Sequence, residues 1–317
     1  MTITIGMFAT SGPFSSERKE SDFAYLRSKG IKVIEATNLR KKTGHTAGSV
    51  AERIEAINEL LKNKKVDVLM AYWGGANTNE LLTHLNYSLF SKFNKPIIGF
   101  SDTTALLLAV NKFSEIITFL GPAGISFDKP EPFEYTFNYF KKILIEKQKD
   151  ILLEDSKEFA DDQYFLRKDS NHRIKNKNIG RKVFRHGSAK GKIVAANLQT
   201  LLVLAGTKFF PDLKGKILFV EEEEEEDTKM IHRFFTHLSQ IIDLNTLSAI
   251  CIGRFCSQSG FSGEDSEEMM YEEIFKDVKI PILYNLDFGH TDPMFTIPIG
   301  GEAVIDTKKN IIRIKTN

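Results

Sequence analysis

The first half of the chain alternates two kinds of pattern, and that alternation narrows the possible folds more than any other feature. The runs "TITIGMFAT", "IKVIEAT", "VDVLMAYWGG", "KPIIGFSD" and "IITFLGP" are short and rich in β-formers, and most are apolar almost throughout. Helical segments lie between them. In "SVAERIEAINELLKN", Val50, Ile54, Ile57, Leu60 and Leu61 recur at helical spacing, and "TTALLLAVNKF" follows the fourth run. A strand that is apolar on both faces must be covered on both. Repeated β–α units of this kind predict a parallel sheet flanked by helices. The expected class is therefore α/β, with an N-terminal, Rossmann-like parallel-sheet domain.

At 317 residues the chain is too long for one core of ordinary size, so a second domain is expected. The pattern changes after about Pro130. "PFEYTFNYFKKILIEK" reads as a helix, and "EDSKEFADDQYFLRKDSNHRIKNKNIGRK" is polar and poorly periodic. That polar stretch is either a plain surface linker or a loop overhanging an active site. Beyond it, "GKIVAANLQTLLVLAGT", "KGKILFVE", "LSAICIGRF" and "PILYNLDFGH" mix strands with helices, and "EAVIDTKKNIIRIKT" reads as a terminal hairpin. The expected organisation is an N-terminal α/β domain over 1–145, a connecting segment over 146–186, and a β-rich α+β domain over 187–317.

A net charge of +1 gives no electrostatic reason to expect nucleic acid or an anionic membrane as partner. No apolar run approaches the roughly 20 residues that span a bilayer, and "MTITIGMFATSG" reads as a strand, not a secretion signal. Cys251 and Cys256 suggest neither a disulfide scaffold nor a zinc site. A cytoplasmic protein is the expectation.

Ser101 in "GFSDTT" lies where a buried strand runs into a helix. Such a turn lifts a side chain off the sheet edge and sets it beside the unpaired amides of a helix start. The match to the G-x-S-x-G elbow is partial, because Thr103 replaces the last glycine. Helix capping by Ser101 or Asp102 explains the same residues. A serine nucleophile needs a base. Of seven histidines, His290 stands apart: it ends an apolar run, after Gly289 and before the turn "TDP". A turn histidine without a role, or a metal pair of His290 with Asp292, are the alternatives. An imidazole base needs an orienting acid. In "KILFVEEEEEED", Glu221 is the first residue past the strand and the one expected to stay enclosed, with Glu222 as fallback; mutual repulsion should drive the later glutamates into water. An oxyanion needs two donors. The Asp102 amide is one, and the glycine pair Gly74–Gly75, ending a neighbouring strand, offers another. A phosphate cradle is the weaker reading of that pair.

Taken together, "GFSDTTALLLAV", "FLGPAG", "YWGGANTNELL", "GKIVAANLQTLLVLAGTKFFPDLKGKILFVEE", "IGRF" and "FGHTDPMFTIPIGGEA" resemble the LD-carboxypeptidase family of serine peptidases, in order and over most of the chain. The resemblance implies a Ser–Glu–His triad at Ser101, Glu221 and His290, and an oxyanion hole from the Gly75 and Asp102 amides. It also implies a site between two domains, a homodimer, and no metal or organic cofactor. Substrates would be a small peptide, a muropeptide or a peptidyl-nucleotide. "V-E-E" stands where the family usually has L-E-D, and "AANL" where it has G-G-N-L. "GGANTNELL" is closer to the family's microcin-immunity branch, which would put Gly74, Ala76 and Asn77 at the substrate. The aromatic platform that this branch stacks on a nucleotide has only Phe184 as counterpart, and the lone Trp73 sits in the Gly-Gly strand. A homologue that binds ligand without turning it over is the rival from another class, and a metal-dependent hydrolase is a further one.

Overall fold

The computed structural model describes residues 3–14, 23–128, 130–162, 172–223 and 226–316. The apolar runs of the first half form β1 (Thr4–Phe8), β2 (Lys32–Glu35), β3 (Val68–Ala71), β4 (Ile97–Gly99) and β5 (Thr118–Leu120). They pair in parallel, in the order β5-β4-β3-β1-β2. Helices cover the sheet as the pattern predicts. Helix Val50–Lys62 starts with a capping box, in which the Ser49 side chain accepts from the Glu52 amide and the Glu52 side chain accepts from the Ser49 amide. Its residues Ala56, Ile57, Leu60 and Leu61 are buried.

The segment 146–186 is more than a connector. It contributes β6 (Asp150–Leu152), a two-residue pair β7 (Glu158–Phe159) with β8 (Asn176–Lys177), and β9 (Lys182–Arg185). The remaining strands are β10 (Ser188–Asn197), β11 (Ile217–Glu221), β12 (Ala249–Gly253), β13 (Ile282–Leu286), β14 (Ile297–Ile299), β15 (Glu302–Asp306) and β16 (Ile311–Lys315). A second sheet of eight strands runs β6-β16-β15-β10-β11-β12-β13-β9. Its centre, β10 to β13, is parallel, and its flanks are antiparallel. The expected terminal hairpin is β15–β16. Strands β6 and β9 escaped the sequence pattern for a physical reason: an outermost strand is half solvated, so it needs no apolar run, and "DIL" and "KVFR" are mostly exposed or half-buried.

The two halves also exchange a strand. Ile297–Ile299 leaves the C-terminal half and pairs antiparallel with β5, closing the edge of the first sheet. Helix Thr104–Ser114 lies between the sheets, touching β4, β5, β10 and β14, and Thr104 through Val110 are all buried. The chain segments that carry Ser101 and His290 thus belong to one packed body. Among the described residues, no helix is long and apolar enough to cross a membrane.

Candidate active site

Ser101 follows β4 and Phe100, whose backbone is extended, and opens a short turn, Ser101–Thr103, that leads into helix Thr104–Ser114. Its φ is +59°, a left-handed conformation that is uncommon for a residue with a β-carbon. The surroundings hold it there. The Thr103 hydroxyl lies 3.1 Å from that of Thr10, and the Asp102 carboxylate accepts from the Thr78 amide at 2.8 Å and the Thr78 hydroxyl at 2.7 Å. Asp102 therefore caps a different element, the turn Thr78–Leu81, and neither it nor Ser101 caps the helix that follows. Burial raises the pKa of the Asp102 carboxyl, against the hydrogen bonds from Thr78.

The loop after β3 supplies backbone donors beside Ser101. The Ser11 hydroxyl oxygen accepts from the Ala76 and Asn77 amides at 3.0 and 2.8 Å, and Thr78 donates to Asp102. Gly74 turns its carbonyl to the Gly12 amide at 2.8 Å. The Gly75 and Asp102 amides donate to no acceptor among the described residues. Gly74 is packed so closely that a β-carbon there would stand 2.8 Å from the Ser101 hydroxyl and 3.4 Å from the Asp102 nitrogen. Gly75 has φ +131°, and a β-carbon on it would meet the Gly12 nitrogen at 2.4 Å, so this backbone requires glycine. The buried Arg53 braces the loop from behind, donating to the carbonyls of Thr10 and Asn77 at 3.0 and 3.3 Å. Ala76 is exposed at the rim, and the Asn77 side chain faces His45 Nε2 at 2.8 Å.

In the C-terminal half, β11 delivers Glu221, which is 1 % exposed. Its Oε2 lies 2.6 Å from His290 Nδ1. Gly289 makes that approach possible: its φ is +105°, and a β-carbon there would stand 2.7 Å from Glu221 Oε2. The other carboxylate oxygen, Oε1, has no hydrogen-bond partner among the described residues. The Phe100 ring stands edge-on to the His290 imidazole with centroids 5.0 Å apart. The residue just before Ser101 therefore touches the imidazole that Glu221 holds.

Glu222 departs from expectation. Repulsion does not expel it; it is as buried as Glu221 and points elsewhere, accepting from Asn197 Nδ2, the Gln199 amide and the Glu223 amide, each at 3.0 Å. Burial, and next the charge of Glu221, push its pKa up to about 8. Of the two, Glu221 is the one that meets the histidine. Glu224 and Glu225 lie outside the described residues, as does 163–171 of the stretch read as an overhanging loop. Phe184 is half-buried and packs against Tyr271 and Phe275 at 5.8 and 6.2 Å, beside helix Glu267–Ile274. Asp292 is not presented for a metal: its carboxylate pairs with Arg173 at 2.8 Å, and the described residues hold no group of three or more His, Cys, Asp or Glu suited to a metal.

The sequence reading missed Asn197, Ser11 and Phe100. Asn197 ends β10 opposite Glu221, caps helix Leu198–Val203 through the Thr200 amide, and holds Glu222 with its other side-chain atom. A polar residue closing a buried strand just before a helix was the available signal. Ser11 and Phe100 have none, because their roles arise from contacts across the sheet.

Known proteins resemble this chain over most of its length. The model of the LD-carboxypeptidase N-terminal domain matches residues 5–121, and that of the LD-carboxypeptidase C-terminal domain matches 190–305. The microcin C7 self-immunity protein MccF of Escherichia coli is 33% identical over 97% of this chain and 92% of its own length. The murein tetrapeptide carboxypeptidase of Pseudomonas aeruginosa is 21% identical over 95% and 92%. The solved structure of an MccF-like protein from Bacillus anthracis superimposes with a TM-score of 0.91 at 31% identity, covering 100% of this chain and 97% of that one. Solved structures of MccF itself hold glutamyl sulfamoyl guanosine and aspartyl sulfamoyl adenosine. The chain belongs to the LD-carboxypeptidase family and is a serine-type carboxypeptidase.

Proposed function

We propose that this carboxypeptidase cleaves an amide bond close to a free carboxylate, with Ser101 as nucleophile, His290 as base and Glu221 as its orienting acid. The observation that carries the reading is the 2.6 Å contact between His290 Nδ1 and a fully buried Glu221. A carboxylate so placed holds the proton on Nδ1, makes Nε2 the accepting nitrogen, and stabilises the imidazolium that forms. As Ser101 Oγ bonds to the substrate carbonyl carbon, its proton passes to Nε2. The carbonyl oxygen becomes an oxyanion and accepts from the Gly75 and Asp102 amides. Each such donor is worth roughly 2.7–4 kcal/mol of barrier. Collapse breaks the C–N bond while the imidazolium returns the proton to the leaving amine. Water then repeats the sequence on the acyl-enzyme and frees the acid.

For substrate, we favour a peptidyl- or aminoacyl-nucleotide over a muropeptide, because the identity to MccF exceeds that to the murein enzyme. Gly74, Ala76 and Asn77 line the approach in this reading. We place the protein in the cytoplasm, as a homodimer whose mass light scattering would measure. Side-by-side hydrolysis of an aminoacyl sulfamoyl adenosine and a muramoyl tetrapeptide tests the substrate. Ser101→Ala should abolish turnover while leaving the thermal transition in place. Turnover surviving in that variant would remove Ser101 as nucleophile.

A further inference from the structure

The turn that presents His290 is tied down by contacts besides that with Glu221. Two residues past the histidine, Asp292 forms a reciprocal backbone bridge with Ala160: the Ala160 amide donates to the Asp292 carbonyl at 2.7 Å, and the Asp292 amide to the Ala160 carbonyl at 2.9 Å. Its side chain is held as well. Arg173 donates from Nη1 to Asp292 Oδ2 at 2.8 Å and from Nε to Asp162 Oδ1 at 2.8 Å. Asp162 also takes the Ile174 amide on its second oxygen, at 2.9 Å. The three side chains are 2, 3 and 7 % exposed for Arg173, Asp162 and Asp292. Phe133 covers the guanidinium, with its ring centroid 5.9 Å away.

A guanidinium buried between two carboxylates is an expensive way to gain stability, since apolar residues of like volume often serve equally well. What it supplies is direction. The planar fork of arginine engages both acids at fixed angles, which an ammonium on a flexible stem does not reproduce. A base must sit within a fraction of an ångström of its productive geometry. Glu221 holds one ring nitrogen of His290 and the Phe100 ring stands against the imidazole, and both contacts depend on where the backbone of residues 290–292 carries the ring.

We propose that Arg173 is a positioning residue for His290, acting through Asp292 to hold the 290–292 turn so that Nε2 faces Ser101. This rests on the serine-hydrolase reading above. The other buried ion pair nearby, Arg254–Asp287, also reaches the turn, through a 3.5 Å contact from Arg254 Nη1 to the Thr291 hydroxyl, but its shorter bonds, at 3.0 Å, go to Asn285, Asn178 and Ser156.

The test uses the full chain with Arg173→Lys, Arg173→Met and Asp292→Asn. Three quantities are read: kcat and KM on the best substrate, the rate of Ser101 labelling by a fluorophosphonate, and the downfield proton resonance of the His290 Nδ1–H bonded to Glu221. The expected result is a fall in kcat and in labelling rate of at least tenfold with KM within twofold, together with a shifted or broadened Nδ1–H signal. Lysine should rescue the thermal transition better than it rescues kcat. Loss of stability with unchanged labelling and an unchanged resonance would reduce the strap to a structural role and overturn the proposal. If the unmodified protein itself were not labelled, the serine reading would fail, and the resonance in the variants would still decide whether Arg173 positions the ring. Should Arg173→Met not fold, Asp292→Asn, which keeps shape and backbone, carries the same measurements.

Discussion

Replacing Glu222 with glutamine should change how stability depends on pH, and the structure gives the size of the change. The Glu222 carboxyl is buried beside Glu221, and its pKa rises from 4.5 to about 8. Between those values the folded protein holds a proton that the unfolded chain has released. The native state then binds more protons, so stability falls as pH rises through the window and levels off above the folded pKa. Each pKa unit corresponds to about 1.4 kcal/mol, so the full window amounts to about 5 kcal/mol from this one group. Glu222→Gln cannot titrate and should lack the decline. Its carboxamide must also turn an NH₂ toward one of three donors, Asn197 Nδ2 or the amides of Gln199 and Glu223. That mismatch destabilises by about 1–3 kcal/mol, equally at every pH. Urea unfolding of both proteins at pH 5, 6.5, 8 and 9 separates the two effects. The wild type should be the more stable at pH 5 and lose that advantage, or fall below the variant, by pH 9. A difference that stays constant across the series would mean that Glu222 is ionised throughout, held by its three donors, and the argument from burial would be refuted.

Glu221→Gln should leave the fold intact and lower kcat by about 10⁴, because the imidazole loses the partner that fixes its tautomer; steady-state kinetics at constant KM would show it, and a drop under tenfold would take the orienting role from Glu221. Gly75→Ala should lower kcat by about 10²–10³ through a displaced oxyanion donor, since the added β-carbon meets the Gly12 nitrogen at 2.4 Å; binding of a non-hydrolysable analogue, read by calorimetry, should change far less. Arg254→Met strands Asp287, which is 1 % exposed and 2.6 Å from the guanidinium. The expected loss is about 3–5 kcal/mol in urea unfolding, and a loss below 1 would show that Ser156 and Asn178 suffice to hold that carboxylate.

Read by itself, the sequence determined the parallel sheet of the first half, because strands buried on both faces must be apolar throughout and the helices between them must carry a periodic stripe. It also marked Ser101, Glu221 and His290 as candidates, since each places a polar group at the end of an apolar run, where burial would otherwise be costly. Tertiary structure alone decided the rest. Whether Glu221 or Glu222 faces the histidine depends on which side of β11 the histidine lies, and His290 is 69 positions further along the chain. Strands β6, β9 and β14 were invisible because an edge strand, or one traded between sheets, is defined by its partner and not by its own pattern. Asp292 and Arg173 lie 119 positions apart, and no local rule pairs them. Periodicity reports what a segment buries; only the folded chain determines what it is buried against.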